Sequence, residues 1–172
     1  MEIKDRGILL DHARSIRDLT LTVASRFTAD EAFRVPPFCK NCPIWNIGHV
    51  MVVQEQLILR PFGEEGVLPA PFSELFGEGW CSCDWNGNRP DWTEVVGLLA
   101  PTRDRVEQFI QTGPPLKTAL PEPYLTATGI ALETLADSLS FCTLHEAIHL
   151  GILSTYSRLL VRKPKDPSDT PQ

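Results

Sequence analysis

The stretch LHEAIHLGILSTYSRLL, residues 144–160, decides how this chain folds. Its apolar residues recur at three- and four-residue steps, the period of one helix face. Upstream, Thr134-Leu-Ala-Asp137 reads as a helix start of the capping-box kind, with Asp in place of Glu or Gln. The period continues to Val161, and Pro164 ends it. Within this helix His145 and His149 are four residues apart, so they share a face, one a turn above the other. The spacing also fits H-E-x-x-H, in which two imidazoles hold Zn²⁺ and the Glu is the general base of a metalloprotease.

Three further segments carry a helical period. Over residues 5–27, Leu9, Ala13, Ile16, Leu19, Val23 and Phe27 form one apolar stripe. The second segment opens at Pro43, a residue suited to a first helical turn, and runs to Arg60 before Pro61. The third starts after Asp91, a good N-cap, and runs through Val95, Leu99, Val106 and Ile110 to Gly113-Pro114. Pro101 inside it predicts a kink. Residues 61–90 are rich in Gly and Pro but carry Phe72, Phe76, Trp80 and Trp85, too aromatic for a disordered linker. They read as an ordered crossover with a short helical turn at Phe72–Phe76. No internal repeat, heptad run or strand pattern is evident. The expected fold is all-α: a four-helix bundle with a long crossover loop between helices two and three, residues 1–163 as a single domain and 164–172 as a flexible tail.

At 172 residues the chain is long enough for one domain with its own core. Apolar residues at 42% and charged residues at 22% are ordinary for a globular protein. A net charge of −6 with no basic stripe argues against a nucleic-acid partner. No apolar run is long enough to span a bilayer, and no secretory leader is evident, so the expected location is cytoplasmic, with no membrane partner. The five cysteines, Cys39, Cys42, Cys81, Cys83 and Cys142, are an odd number. Without a secretory leader, free thiols are expected rather than a disulfide framework, and the C-x-x-C and C-x-C pairs do not match a common zinc-knuckle spacing.

The protease reading fails in context. Residues 150–172 contain neither His nor Glu to serve as third ligand. Gly151 comes one residue too early for the longer H-E-x-x-H-x-x-G-x-x-H pattern, and Thr155 stands where its last His belongs. Another candidate third ligand is His49, mid-helix in the second segment among apolar neighbours, because bundles build metal sites from facing helices. His12, beside Asp11 and Arg14, reads as a surface or pocket-rim residue.

With NCPIWNIGHVMVVQEQLI (residues 41–58), PFSELFGEGW (71–80) and LHEAIHLGILSTYSRLL (144–160) in this order, the chain resembles the DinB-like (damage-inducible) four-helix bundle proteins. The family's ending H-x-x-x-H-x-G-Q-L is matched by His145, His149, Gly151 and Leu153, with Ile152 in place of Gln. The resemblance implies a divalent-metal site (Zn²⁺, Ni²⁺ or Fe²⁺) made by His49, His145 and His149. It further implies a metal-dependent enzyme acting on a small molecule, either a thiol S-transferase using a low-molecular-weight thiol or a hydrolase. The alternative is a non-catalytic metal-binding bundle serving as a binding or accessory module, with a homodimer left open. Around the three histidines, Glu146 lies about 100° from His145 and about 60° from His149 on the helix wheel, so it either reaches the pocket as a neighbour of the ligands or is solvated. Cys142, one turn before His145, reads as a small core hydrophobe or a supplementary ligand, and Gln56 and Tyr156 as pocket polar groups.

Overall fold

The computed structural model describes residues 2–79, 81–85 and 87–161, and the expected flexible tail, 164–172, lies outside them. The chain is mostly helical. Helix α1 (Glu2–Ala24) leads through the short α2 (Ala29–Ala32) to α3 (Pro43–Gln54), which continues as a π turn over Glu55–Leu59 and a 3₁₀ turn over Arg60–Phe62. Pro61 has no N–H for the carbonyl of Leu57 and its ring crowds that carbonyl; the helix widens there and stops. The crossover contains α4 (Phe72–Phe76), the helical turn expected from its sequence, and a 3₁₀ turn at Ser82–Trp85.

The third periodic segment is two helices, α5 (Trp92–Gly97) and α6 (Leu99–Thr112). Asp91 caps α5 by accepting from the Glu94 N–H at 2.8 Å. Pro101 is the third residue of α6, where its ring would clash with the Gly97 carbonyl, and the break falls at Leu98. Helix α7 (Leu135–Leu160) begins with the expected capping box: the Thr134 hydroxyl accepts from the Asp137 N–H, and the Asp137 carboxylate accepts from the Thr134 N–H.

One element departs from the all-α expectation. Strands β1 (Ala119–Leu125) and β2 (Ala131–Thr134) pair antiparallel as a hairpin between α6 and α7. Pro121 and Pro123 in β1 obscure the strand, because neither can donate to a ladder, and the register slips between Ala119 and Tyr124. Only Leu120 and Leu132 of the two strands are buried, so the alternation is weak. The available signal was the turn: Gly129, at φ +81°, follows Thr126-Ala-Thr128, and the Thr126 N–H donates to the Ile130 carbonyl at 2.9 Å. The cysteines also differ from expectation. Cys39, Cys42 and Cys142 are free thiols, but Cys81 is disulfide-bonded. Spacing and compartment do not report which thiols a folded loop presses together.

Helix α1 packs on α6 and α7, and α3 packs on the same two helices. Two apolar clusters result. One gathers Val23, Met51, Leu99 and Leu153 with Phe76 and Trp85; the other gathers Leu10, Leu57, Val106 and Cys142 with Leu132 of the hairpin. Along each helix a buried polar group falls between the two: Arg17 and Thr20 on α1, Gln54 on α3, Thr102 on α6, and Glu146 on α7. A polar layer therefore crosses the centre of the molecule. It displaces the apolar stripe read for α1, because Leu19 is 52% exposed while Arg17 is 1% exposed. A guanidinium reads as a solvent-facing group in any hydropathy pattern, and only its partners explain its burial.

No helix among the described residues is long and apolar enough to cross a membrane.

Candidate metal centre

The histidines sit in this polar layer. Helix α3 is apolar on nearly every side and is buried along most of its length, which carries His49 into the interior. Helix α4 crosses it at Gly48, where a Cβ would overlap the Phe76 ring, so the absence of a side chain permits the close approach. That approach delivers the Phe76 carbonyl to His49. From α7, His145 and His149 face His49 one turn apart. Ring centroids are 5.1 Å apart for His49–His145 and for His49–His149, and 4.6 Å for His145–His149. One ring nitrogen from each lies within 4.8 Å of the others.

Hydrogen bonds decide which nitrogens remain open. His49 Nδ1 lies 2.7 Å from the Phe76 carbonyl, which can only accept, so Nδ1 carries the proton and Nε2 keeps its lone pair. His149 Nδ1 lies 2.8 Å from Asn46 Oδ1. The Asn46 amide is oriented by its NH₂ group, which donates to the Cys42 carbonyl at 2.9 Å. Oδ1 must therefore accept, and His149 also holds its proton on Nδ1. His145 Nδ1 is buried without a hydrogen-bond partner. Trp45 stacks on His49 at 4.5 Å and 15°, and Phe141 lies against His145 at 5.7 Å and 24°, fixing both ring planes.

Burial disfavours the imidazolium form throughout. It lowers the His145 pKa to about 4, with repulsion from His49 adding to it. It lowers that of His149 to about 3, helped by His145 and His49. His49 is lowered by burial as well, opposed by its bond to the Phe76 carbonyl and by the charge of Glu78. Three neutral imidazoles, two with Nδ1 tied to an outer acceptor, form the donor set that a divalent cation requires. The unpartnered nitrogen of His145 is the kind of buried polar atom that a coordinate bond would satisfy. The residues fit a metal.

The remaining sequence candidates are placed differently. Glu146 is 4% exposed, so it is not solvated; it pairs with Arg17, and its charge also reaches His145, opposing the lowering of that pKa. Its carboxylate accepts from Arg17 Nε at 2.7 Å and Nη2 at 2.8 Å. The same guanidinium donates to Gln54 Oε1 at 2.9 Å and to the Leu99 carbonyl at 2.8 Å. Arg17 thus joins α1 to α3, α6 and α7 beside the histidines. With both oxygens engaged, Glu146 is not placed as the base of a zincin. Cys142 is buried outside the metal group, its Sγ 4.0 Å from the Val53 carbonyl, and burial raises its pKa. Tyr156 belongs to the apolar core near Cys39 and Cys42 rather than to the pocket; burial, then the Cys39 thiol, raises its pKa. Gln56 is half-buried and away from the cavity, because Val53 and Leu57 take the positions on that face of the helix. His12 is exposed on α1, a surface residue.

Sequence reasoning missed Arg17, Gln54 and Asn46. Asn46 left a signal, being a lone polar residue one turn before His49 in an otherwise apolar run. Arg17 left none. A cavity of about 380 Å³ opens beside His49 and His145, roofed by the β1–β2 turn.

These features define a mostly helical protein with a three-histidine cluster suited to a metal ion. The chain belongs to the DinB superfamily, whose family model matches residues 12–153. A search of curated proteins found no match.

Proposed function

We propose that the protein is a metal-dependent enzyme built on a four-helix bundle, in which His49, His145 and His149 hold one divalent ion and the adjoining cavity receives a small-molecule substrate. The observation that carries this reading is the pairing of inward-facing Nε2 lone pairs with a cavity that shares two of the three histidines. A divalent ion bound there would supply a Lewis-acidic position that lowers the pKa of a thiol or a water molecule, the chemistry of S-transfer or hydrolysis.

The chain's own residues would hold the geometry for that chemistry. Phe76 and Asn46 fix the tautomers of His49 and His149. Trp45 and Phe141 hold the ring planes. The non-catalytic clamp requires a fourth protein ligand to close a tetrahedral site. Cys142, the residue considered for that role, lies outside the group of potential ligands, which favours the enzyme.

Metal content by elemental analysis tests the reading. One divalent ion per chain is expected in the wild type and in His12→Ala, with stoichiometric metal lost in His149→Ala and in His49→Ala. Retention of metal in both of the last two variants would overturn the assignment.

A further inference from the structure

The cavity beside the histidines has two unlike parts. At about 380 Å³ it lies in the range of small-molecule pockets. Its one charged side chain, Glu78, belongs to the histidine part, because its charge acts on His49. A divalent ion on the histidines would be offset in part by this carboxylate, and further by the thiolate or hydroxide that it makes of a bound thiol or water. Charge at the site is therefore balanced locally, around the histidines.

The rest of the lining offers a ligand little but hydrocarbon. Val53, Leu57 and Phe141 form an apolar inner wall. Ile130 of the hairpin, 54% exposed, and Leu144 and Ile148 of α7, 65% exposed each, line the same cavity. Leu144 and Ile148 are one turn apart, and Leu144 adjoins His145 in sequence, so an apolar strip starts beside a histidine of the cluster. Large aliphatic side chains left in water gain from being covered. The polar groups of this part are committed elsewhere. The Thr126 and Thr128 hydroxyls lie 3.0 Å apart, and Thr126 Oγ1 accepts from the Ile130 N–H at 3.0 Å, so both serve the hairpin turn. The Tyr124 hydroxyl donates to Glu78 at 3.4 Å. No Lys or Arg lines the cavity among the described residues.

We infer that the cavity takes an amphiphile: a small molecule whose single donor head group reaches the histidines and whose uncharged hydrocarbon tail lies along Phe141, Ile130, Leu144 and Ile148. The head group meets whatever charge the site carries; the tail meets none. A second copy of the chain packed on the α7 strip would leave the cavity behind it empty, whereas a tail entering the cavity covers both, so the occupant is the small molecule. The inference deepens the proposed function by naming the substrate class for the same site, and it rests on that reading for the head group alone.

The test uses thiols that share one head group and differ only in the tail: ethanethiol, 1-butanethiol, 1-hexanethiol and 2-propoxyethanethiol, which has the length of hexanethiol with one methylene replaced by oxygen. Titration of the ¹⁵N-labelled protein with one equivalent of zinc, followed by amide NMR shifts, gives the Kd values. Affinity should rise about threefold per added methylene, somewhat below the value for full burial because the cavity is open. The ether should bind about tenfold more weakly than hexanethiol, since its oxygen finds no donor along the tail. Leu144→Asn with Ile148→Asn, both at exposed positions, should cost hexanethiol about fivefold while leaving ethanethiol affinity and zinc content unchanged. A rise below about 1.5-fold per methylene, an ether equal to hexanethiol, or an unchanged hexanethiol Kd in the double variant would overturn the inference. So would sedimentation showing a dimer that the double variant dissociates and that hexanethiol leaves intact, because the strip would then belong to a second copy. A parallel titration with 1-butanol and 1-hexanol in the presence of chelator separates the two readings. Zinc held by the histidines without a chain-length dependence sinks this one alone; a chain-length dependence of the alcohols in a protein that takes no zinc sinks the metal reading alone.

Discussion

Replacing Arg17 by Ala should destabilise the protein by roughly 3–5 kcal/mol, the range for breaking a buried ion pair from one side. The value follows from what the substitution leaves behind. Glu146, 4% exposed, loses both of its guanidinium hydrogen bonds, and Gln54 Oε1 and the Leu99 carbonyl lose one donor each. An ionised carboxylate without a counter-ion then remains in a site closed to water, and its desolvation outweighs the lost attraction. The polar layer touches all four long helices, so the loss should appear as global unfolding rather than local fraying.

Equilibrium urea denaturation followed by circular dichroism, with chelator present so that metal binding contributes nothing, measures the difference. Asp18→Ala provides a surface control. Its ion pair with Arg103 is similarly short at 2.9 Å, but Asp18 is 64% exposed, and the cost should stay within about 1 kcal/mol. The double substitution Arg17→Met with Glu146→Leu should recover most of the loss, because apolar replacement of both charges removes the stranded group. An Arg17→Ala cost below about 1 kcal/mol, or a double variant no more stable than the single one, would refute the account of the layer as a buried electrostatic clamp.

Other outcomes follow from the site. The metal-free protein should lose stability as pH falls from 6.5 through about 4 to about 3, and be insensitive to these groups above 6.5, because His145 and His149 are held neutral in the fold but protonate in the unfolded chain. A stability profile flat across that window would contradict their burial as neutral rings. Asn46→Ala removes the acceptor that sets the His149 tautomer and should weaken zinc affinity by about 10–100-fold with little loss of fold, measured by competition with a chromophoric chelator. Unchanged affinity would mean that the tautomer does not matter. The cobalt-substituted protein should develop a sulfur-to-metal charge-transfer band on adding mercaptoethanol, and the band should persist in Cys142→Ser. A band present before any thiol, and lost in that variant, would restore the clamp reading.

What could be read from the sequence alone was local. The capping box at Thr134 and Asp137, the Asp91 cap, the break forced by Pro101 and the shared face of His145 and His149 depend on residues within a turn or so of one another. Their physics is complete in a short window. His49 became a candidate because bundles build metal sites from facing helices, and the family resemblance joined it to the pair, since a contact between α3 and α7 leaves no local trace. Tertiary packing settled the rest. Glu146 reads from its motif as a catalytic base, and it becomes the counter-ion of a buried arginine because α1 brings Arg17 to it across 129 positions of chain. Phe76 enters the site through a backbone carbonyl, an atom that every residue possesses, and it is placed there by the missing side chain of Gly48. The hairpin escapes notice for a related reason: two prolines hide its first strand, while its role as the roof of a cavity depends on α7 lying beneath it. Helix formation is driven by neighbours in sequence, whereas burial, tautomer and charge state are set by neighbours in space.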